Sequence, residues 1–189
     1  GKRYIDGELW EEGEFKGGEI DGQGKRYMDG VLFYEGGFKY QIEVEGSQEH
    51  GQGKEFDQED GTLLWEGEFK DGNKWNGYGK DDYGYEGEWK NGEYHGQGKE
   101  YNSEGELWYE GGFKRGLFHG QGQQYDKGKL IYEGKFRDDE RHGKGKEFDK
   151  KTGNLVFEGQ WKDGEKWNVT CLDEKGEIIG KYVKGEERK

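Results

Sequence analysis

YEGEWKNGEYHGQGKEY, residues 85–101, decides the fold. Its first half alternates strictly, with Tyr85, Gly87 and Trp89 on one parity and Glu86, Glu88 and Lys90 on the other, as a strand with one half-buried face requires. Asn91-Gly92 is a turn signal. The glycine-rich second half, HGQG, resumes an extended run that ends in an aromatic, Tyr101, so the unit reads as a β-hairpin.

The first half recurs as EEGEF (11–15), YEGGF (34–38), WEGEF (65–69), YEGGF (109–113), YEGKF (132–136) and FEGQW (157–161). A worn eighth copy, IIGKY, lies at 178–182. The central glycines, from Gly13 through Gly36, Gly67, Gly87, Gly111 and Gly134 to Gly159, recur at about 23 residues. The second half recurs as DGQGKRY (21–27), HGQGKEF (50–56), HGQGQQY (119–125) and HGKGKEF (142–148), with NGYGKDD (76–82) as a variant. An insertion near 40–49 lengthens one step.

Composition agrees with an array and not with a conventional core. Only 28% of the 189 residues are hydrophobic and 39% are charged, values that alone point to disorder. Thirty aromatics argue the other way, since each ring buries a large apolar area when it packs. Thirty-nine glycines without a proline imply many backbone positions that lack room for a side chain. The expected fold is all-β: an elongated, single-layer antiparallel sheet of about eight tandem hairpins, an open solenoid-like rod. At about 4.8 Å per strand it would span on the order of 75 Å. Residues 1–189 read as one array. Within it, 1–10 is a truncated first repeat, 11–166 holds seven clear repeats, and 167–189 is a degenerate capping repeat in which WNVTCL stands in place of HGQG.

The pattern resembles the MORN repeat family, whose consensus runs tyrosine, any, glycine, any, tryptophan or phenylalanine, a turn, then histidine-glycine-any-glycine. Residues 85–101 match it almost throughout, and the leucine that leads six of the copies, as in NSEGELWYEG, resembles the bacterial variants. The resemblance implies an adaptor in cytoskeletal, ciliary, bacterial or signalling assemblies. It also raises a tether to acidic phospholipids and a targeting module cut from a larger enzyme.

Each candidate chemistry is weighed against a structural explanation. His50, His95, His119 and His142 hold equivalent positions, which places neighbours about 10 Å apart, too far to share a metal with ligand distances near 2 Å. They read as turn residues that bond backbone. The GQG segments precede no helix, so they are not phosphate loops. The glutamate ladder Glu12, Glu35, Glu66, Glu86, Glu110, Glu133 and Glu158 faces lysines and reads as cross-strand charge pairs. Ser47, Ser103 and Cys171 have no partners for nucleophilic catalysis. No enzyme, cofactor or metal is expected.

The formal charge of −13 disfavours nucleic acid and anionic membrane. The one constellation with binding promise is the aromatic stripe: Tyr34, Trp65, Tyr85, Trp89, Tyr109, Phe113, Tyr132, Phe136, Phe157 and Trp161. A single-layer sheet leaves one face open, so these rings are expected to line a groove for a peptide, a helix or a second copy of the chain. A scaffold in the cytoplasm, associated with cytoskeleton or membrane only through a partner, is the expected role.

Overall fold

The computed structural model describes residues 1–42 and 46–188, so residues 43–45 of the insertion, and Lys189, lie outside the described residues. The described residues form seventeen strands and no α-helix. They divide into two compact units. Unit 1 comprises Gly1–Asp81 and Glu88–Glu93; unit 2 comprises Asp82–Gly87 and the chain from Tyr94 onward.

Unit 1 holds β1 (Lys2–Ile5), β2 (Glu8–Lys16), β3 (Glu19–Met28), β4 (Val31–Gln41), β5 (Gly46–Phe56), β6 (Leu63–Lys70) and β7 (Asn73–Lys80). They are followed by β8 (Tyr85–Lys90) and β9 (Glu93–Tyr101). Unit 2 continues with β10 (Leu107–Lys114), β11 (Leu117–Asp126), β12 (Lys129–Arg137), β13 (Glu140–Phe148), β14 (Leu155–Lys162), β15 (Glu165–Leu172), β16 (Ile178–Val183) and β17 (Glu186–Arg188). Within each unit, chain neighbours pair antiparallel. Each aromatic half forms a hairpin with the glycine-rich half that follows it, as the repeat predicts.

The registers align the glycines. In unit 1, Gly13 faces Gly24, Gly24 faces Gly36, Gly36 faces Gly53, Gly53 faces Gly67 and Gly67 faces Gly77. In unit 2 the row runs Gly98, Gly111, Gly122, Gly134, Gly145 and Gly159, and ends at Val169. Each unit is therefore crossed by a row of residues without side chains.

Rings occupy the space so created. The Tyr34 ring lies over Gly36 and Gly53, Tyr109 over Gly111 and Gly122, and Tyr132 over Gly134 and Gly145. The Tyr34 and Tyr109 hydroxyls donate to the carbonyls of Gly37 and Gly112, each at 3.0 Å. Edge-to-face contacts then join the repeats within a unit: Tyr109 meets Phe113 of its own strand at 5.2 Å and Phe136 of the next hairpin at 5.1 Å. Tyr132 repeats this with Phe136 and Trp161, both at 5.2 Å. In unit 1, Tyr34 meets Phe38 and Phe69, and Trp65 meets Phe69 and Trp89.

The expected open aromatic groove is corrected by this packing. Eight of its ten proposed lining residues (Tyr34, Trp65, Tyr85, Tyr109, Phe113, Tyr132, Phe136 and Trp161) are no more than 4% exposed, and Trp89 and Phe157 are half-buried. The strands curl, and in five hairpins the start of the second strand folds over the ring of its own hairpin. Tyr94 stacks on Tyr85 and Phe118 on Tyr109, both at 3.8 Å between centroids. Arg141 covers Tyr132 at 4.4 Å, Lys166 covers Phe157 at 3.9 Å, and Lys74 reaches Trp65 at 5.6 Å. Ile20, fully buried, caps the start of the unit 1 core. The curl is tight enough that Arg141 bonds Glu147 on the same strand at 3.0 Å. A sheet flat along its strands cannot do this, which is why the single layer nonetheless encloses a core.

Candidate interaction site

With the aromatic side closed, the accessible relief lies on the opposite side, along the glycine rows. In unit 1 a trough of about 660 Å³ is floored by Gly13, Gly24, Gly36 and Gly53. In unit 2 one of about 740 Å³ is floored by Gly111, Gly122, Gly134, Gly145 and Gly159. The floor is main chain seen between the flanking side chains; a Cβ on these glycines would point the other way, into the rings of the closed side.

The walls carry charge and amides. Glu12, Glu35 and Glu66 border the first trough with Lys25 and Lys54; Glu110, Glu133 and Glu158 border the second with Lys144 and Lys146. Cross-strand ion pairs set most of these: Lys2 with Glu12 at 3.1 Å, Lys25 with Glu35 at 3.7 Å, Lys54 with Glu66 at 3.4 Å, Lys99 with Glu110 at 3.8 Å and Lys146 with Glu133 at 3.4 Å. Tyr27 donates to Glu12 at 2.9 Å, and this bond, with Lys2, holds the Glu12 carboxyl below the usual range. Burial, reinforced by Glu12, pushes the Tyr27 phenol up to about 12. Most of the glutamate ladder is thus a paired, partly exposed face, each pair contributing about 0–1 kcal/mol.

The histidines stand at the turns. Nδ1 of His50 lies 3.4 Å from Asp71, that of His119 3.6 Å from Asp138 and that of His142 3.4 Å from Asp163. The Asp163 amide also points at His142 Nδ1, at 3.5 Å. Backbone bonds run beside them: Gly72 N–H donates to the Glu49 carbonyl at 3.0 Å and Gly164 N–H to that of Arg141 at 3.1 Å. Each histidine so placed braces the turn of the next hairpin. Asn76 and Asn168 serve similarly, accepting from the amides of Asn91 and Lys184. Among the described residues no three His, Cys, Asp or Glu side chains group as metal ligands. Cys171 is buried, which raises its thiol pKa, and Ser47 Oγ is bonded to the Ile20 carbonyl at 2.5 Å.

Sequence reasoning missed the covering residues Ile20, Lys74, Tyr94, Phe118, Arg141 and Lys166. In three hairpins they stand immediately before a histidine, as Tyr94-His95, Phe118-His119 and Arg141-His142. Their identities range from aliphatic to cationic, so periodicity of residue type gives no signal; what Lys74, Phe118, Arg141 and Lys166 share is a register position opposite the last aromatic of the preceding strand.

The MORN repeat family model matches residues 12–30, 85–106, 109–128, 132–150 and 157–167. The hairpins β4–β5 and β6–β7 fall outside the matched segments; one carries the insertion and the other the NGYGK variant. No curated protein matches the chain. Repeats of this family generally mediate protein or membrane interactions and are generally non-catalytic.

Proposed function

We propose that this MORN-repeat chain is a non-catalytic scaffold that holds a peptide or helical segment of a protein partner in its glycine-floored troughs. The observation that carries the reading is the pair of open troughs opposite the closed ring side, each with a main-chain floor between charged and amide walls. Groups that are already paired lose little on docking, while the floor admits close contact, the conditions under which a bound segment gains specificity from register and shape. A membrane tether is the weaker reading, because a net charge of −13 offers an anionic headgroup surface little attraction. A cytoplasmic location belongs to the same reading.

Photo-crosslinking tests it. A crosslinkable residue at Gln52 or Gln121, beside the floors, should capture the physiological partner. The same probe at Leu117 or Lys162, at the ends of hairpins, should not. Capture from the hairpin ends alone would overturn the assignment of the troughs.

A further inference from the structure

The two troughs share a floor but differ in the row of side chains that borders it on the turn side. In unit 1 that row includes Glu14, which lies over Gly22, and Glu68, which accepts from Asn76 Nδ2 at 2.6 Å, together with the amides Gln23 and Gln52. In unit 2 the position of Glu14 and Glu68 is a lysine in one hairpin, and a lysine replaces the amide in the strand beside it. Lys135 stands opposite Gln121 and lays its stem along Gly143, 3.3 Å from where a Cβ would be, as Glu14 does on Gly22. Lys144 follows on the next strand, opposite Gln160, and lines the trough.

Lys25, Lys54, Lys99 and Lys146 each meet a glutamate across a strand. Among the described residues, Lys135 and Lys144 meet none. Of the lysines that line the two troughs, Lys25, Lys54 and Lys146 are paired and Lys144 is not, and Lys135 stands unpaired on the strand beside it. Their charge is available to a ligand without first breaking an intramolecular pair.

We propose that the unit 2 trough takes an acidic peptide segment, whose carboxylates pair with Lys135 and Lys144 while its backbone lies on Gly122, Gly134 and Gly145. This rests on the scaffold reading above and names the chemistry of the partner. The far wall selects against other anions. Glu110, Glu133 and Glu158 border the same floor, and Glu158 has no ion-pair partner among the described residues. A nucleic acid or an anionic bilayer presents phosphates in every direction and would set some against these carboxylates. A peptide carries acids on one side alone; on a helix, residues at i and i+4 stand about 5–6 Å apart, comparable to neighbouring strand positions.

The test is nuclear magnetic resonance on the isotope-labelled full chain at about 0.15 M salt, where long-range attraction is screened. Three probes are titrated: a peptide of three Glu-Ala-Ala-Ala-Glu repeats, its glutamine counterpart and its lysine counterpart. The glutamate peptide should give saturable shifts at Gly134, Gly145 and Lys144, and the other two should bind at least about tenfold more weakly. The double variant Lys135→Glu/Lys144→Glu should lose about tenfold in affinity for the glutamate peptide with its spectrum otherwise unchanged, since both side chains are exposed and unpaired. Equal binding of the three peptides, shifts confined to other surfaces, or indifference to the double variant overturns the proposal. So does a stronger response to phosphatidylserine vesicles than to the glutamate peptide. If the glutamine or lysine peptide occupies the trough and the glutamate peptide does not, only the acidic assignment fails. If no peptide perturbs the glycines of either trough, the scaffold reading fails with it.

Discussion

Phe118 lies flat on Tyr109, with centroids 3.8 Å apart and ring planes 8° from parallel. Tyr109 is already held edge-on by Phe113 and Phe136, so Phe118 closes its remaining face and leaves it fully buried. Truncating a buried phenylalanine costs about 3–5 kcal/mol, and Phe118→Ala should fall in that range by urea denaturation. Because Arg141 performs the same covering over Tyr132, Phe118→Arg should cost clearly less than Phe118→Ala. Equal losses for the two would mean that covering the ring is not what the position contributes.

The glycine rows give a second, sharper contrast. A Cβ on Gly145 would stand 2.5 Å from Cζ of Tyr132, whereas a Cβ on Gly128 meets nothing within 4 Å and is opposed only by its turn conformation at φ +73°. Gly128→Ala should cost about 1 kcal/mol, from backbone strain alone. At Gly145 the same methyl overfills the core, and Gly145→Ala should cost about 2–3 kcal/mol. Hydrogen exchange should localise that damage to the hairpins around Tyr132, because repeats depend on their neighbours.

Alkaline titration reads the same core differently. Burial raises the phenol pKa of Tyr34, Tyr109 and Tyr132, the last to about 12. A folded pKa above the unfolded value near 10 means that the native state favours the neutral phenol. The associated stability is complete below pH 10 and is lost as pH rises from there towards 12. Absorbance at 295 nm should show these buried phenols ionising in a steep step that coincides with loss of circular dichroism. A single smooth titration centred near 10, with the fold intact throughout, would contradict the burial of these rings.

Strand positions, hairpin pairing and repeat count were legible in the sequence because glycine and aromatic residues recur at fixed offsets. Tyr85, Gly87 and Gly98 announce their own contact. The enclosure of the rings was not legible, since it depends on curvature, and curvature follows from bulges such as that between Gly134 and Phe136 and not from residue type. With a flat sheet assumed, Tyr109 and Trp161 appear as a groove; with a curled one they are core. The site was legible only in part for the same reason. The Glu and Lys rows were visible as cross-strand pairs, but the trough they border comes from glycines whose alignment only the register reveals. The unpaired state of Lys135 and Lys144 is a property of three-dimensional neighbours, invisible in a string where lysine follows glycine many times.

Glu11 supplies the last prediction. Although charged, it is 2% exposed, held by Arg26 through Nε at 3.1 Å and Nη2 at 2.9 Å, and by Arg3 at 3.1 Å. Arg26 in turn lies over the Phe38 ring at 4.8 Å and bonds Glu49 and the Ser47 carbonyl, which ties the end of the insertion to the first core. Breaking a buried pair costs about 3–5 kcal/mol because the remaining charge loses its compensation. Here Glu49 still compensates Arg26, so Glu11→Gln should sit near about 3 kcal/mol, the low end of that range. Glu12→Gln, on the adjacent half-exposed pair with Lys2, should be much milder and vary more with salt. The two variants therefore separate burial from charge at neighbouring positions. If Glu11→Gln proves as mild as Glu12→Gln, the Arg3–Glu11–Arg26 cluster does not hold unit 1 together. If it is costly, exchange at Ser47 and Glu49 should accelerate with it, because Arg26 then loses the partner that fixes its guanidinium over Phe38.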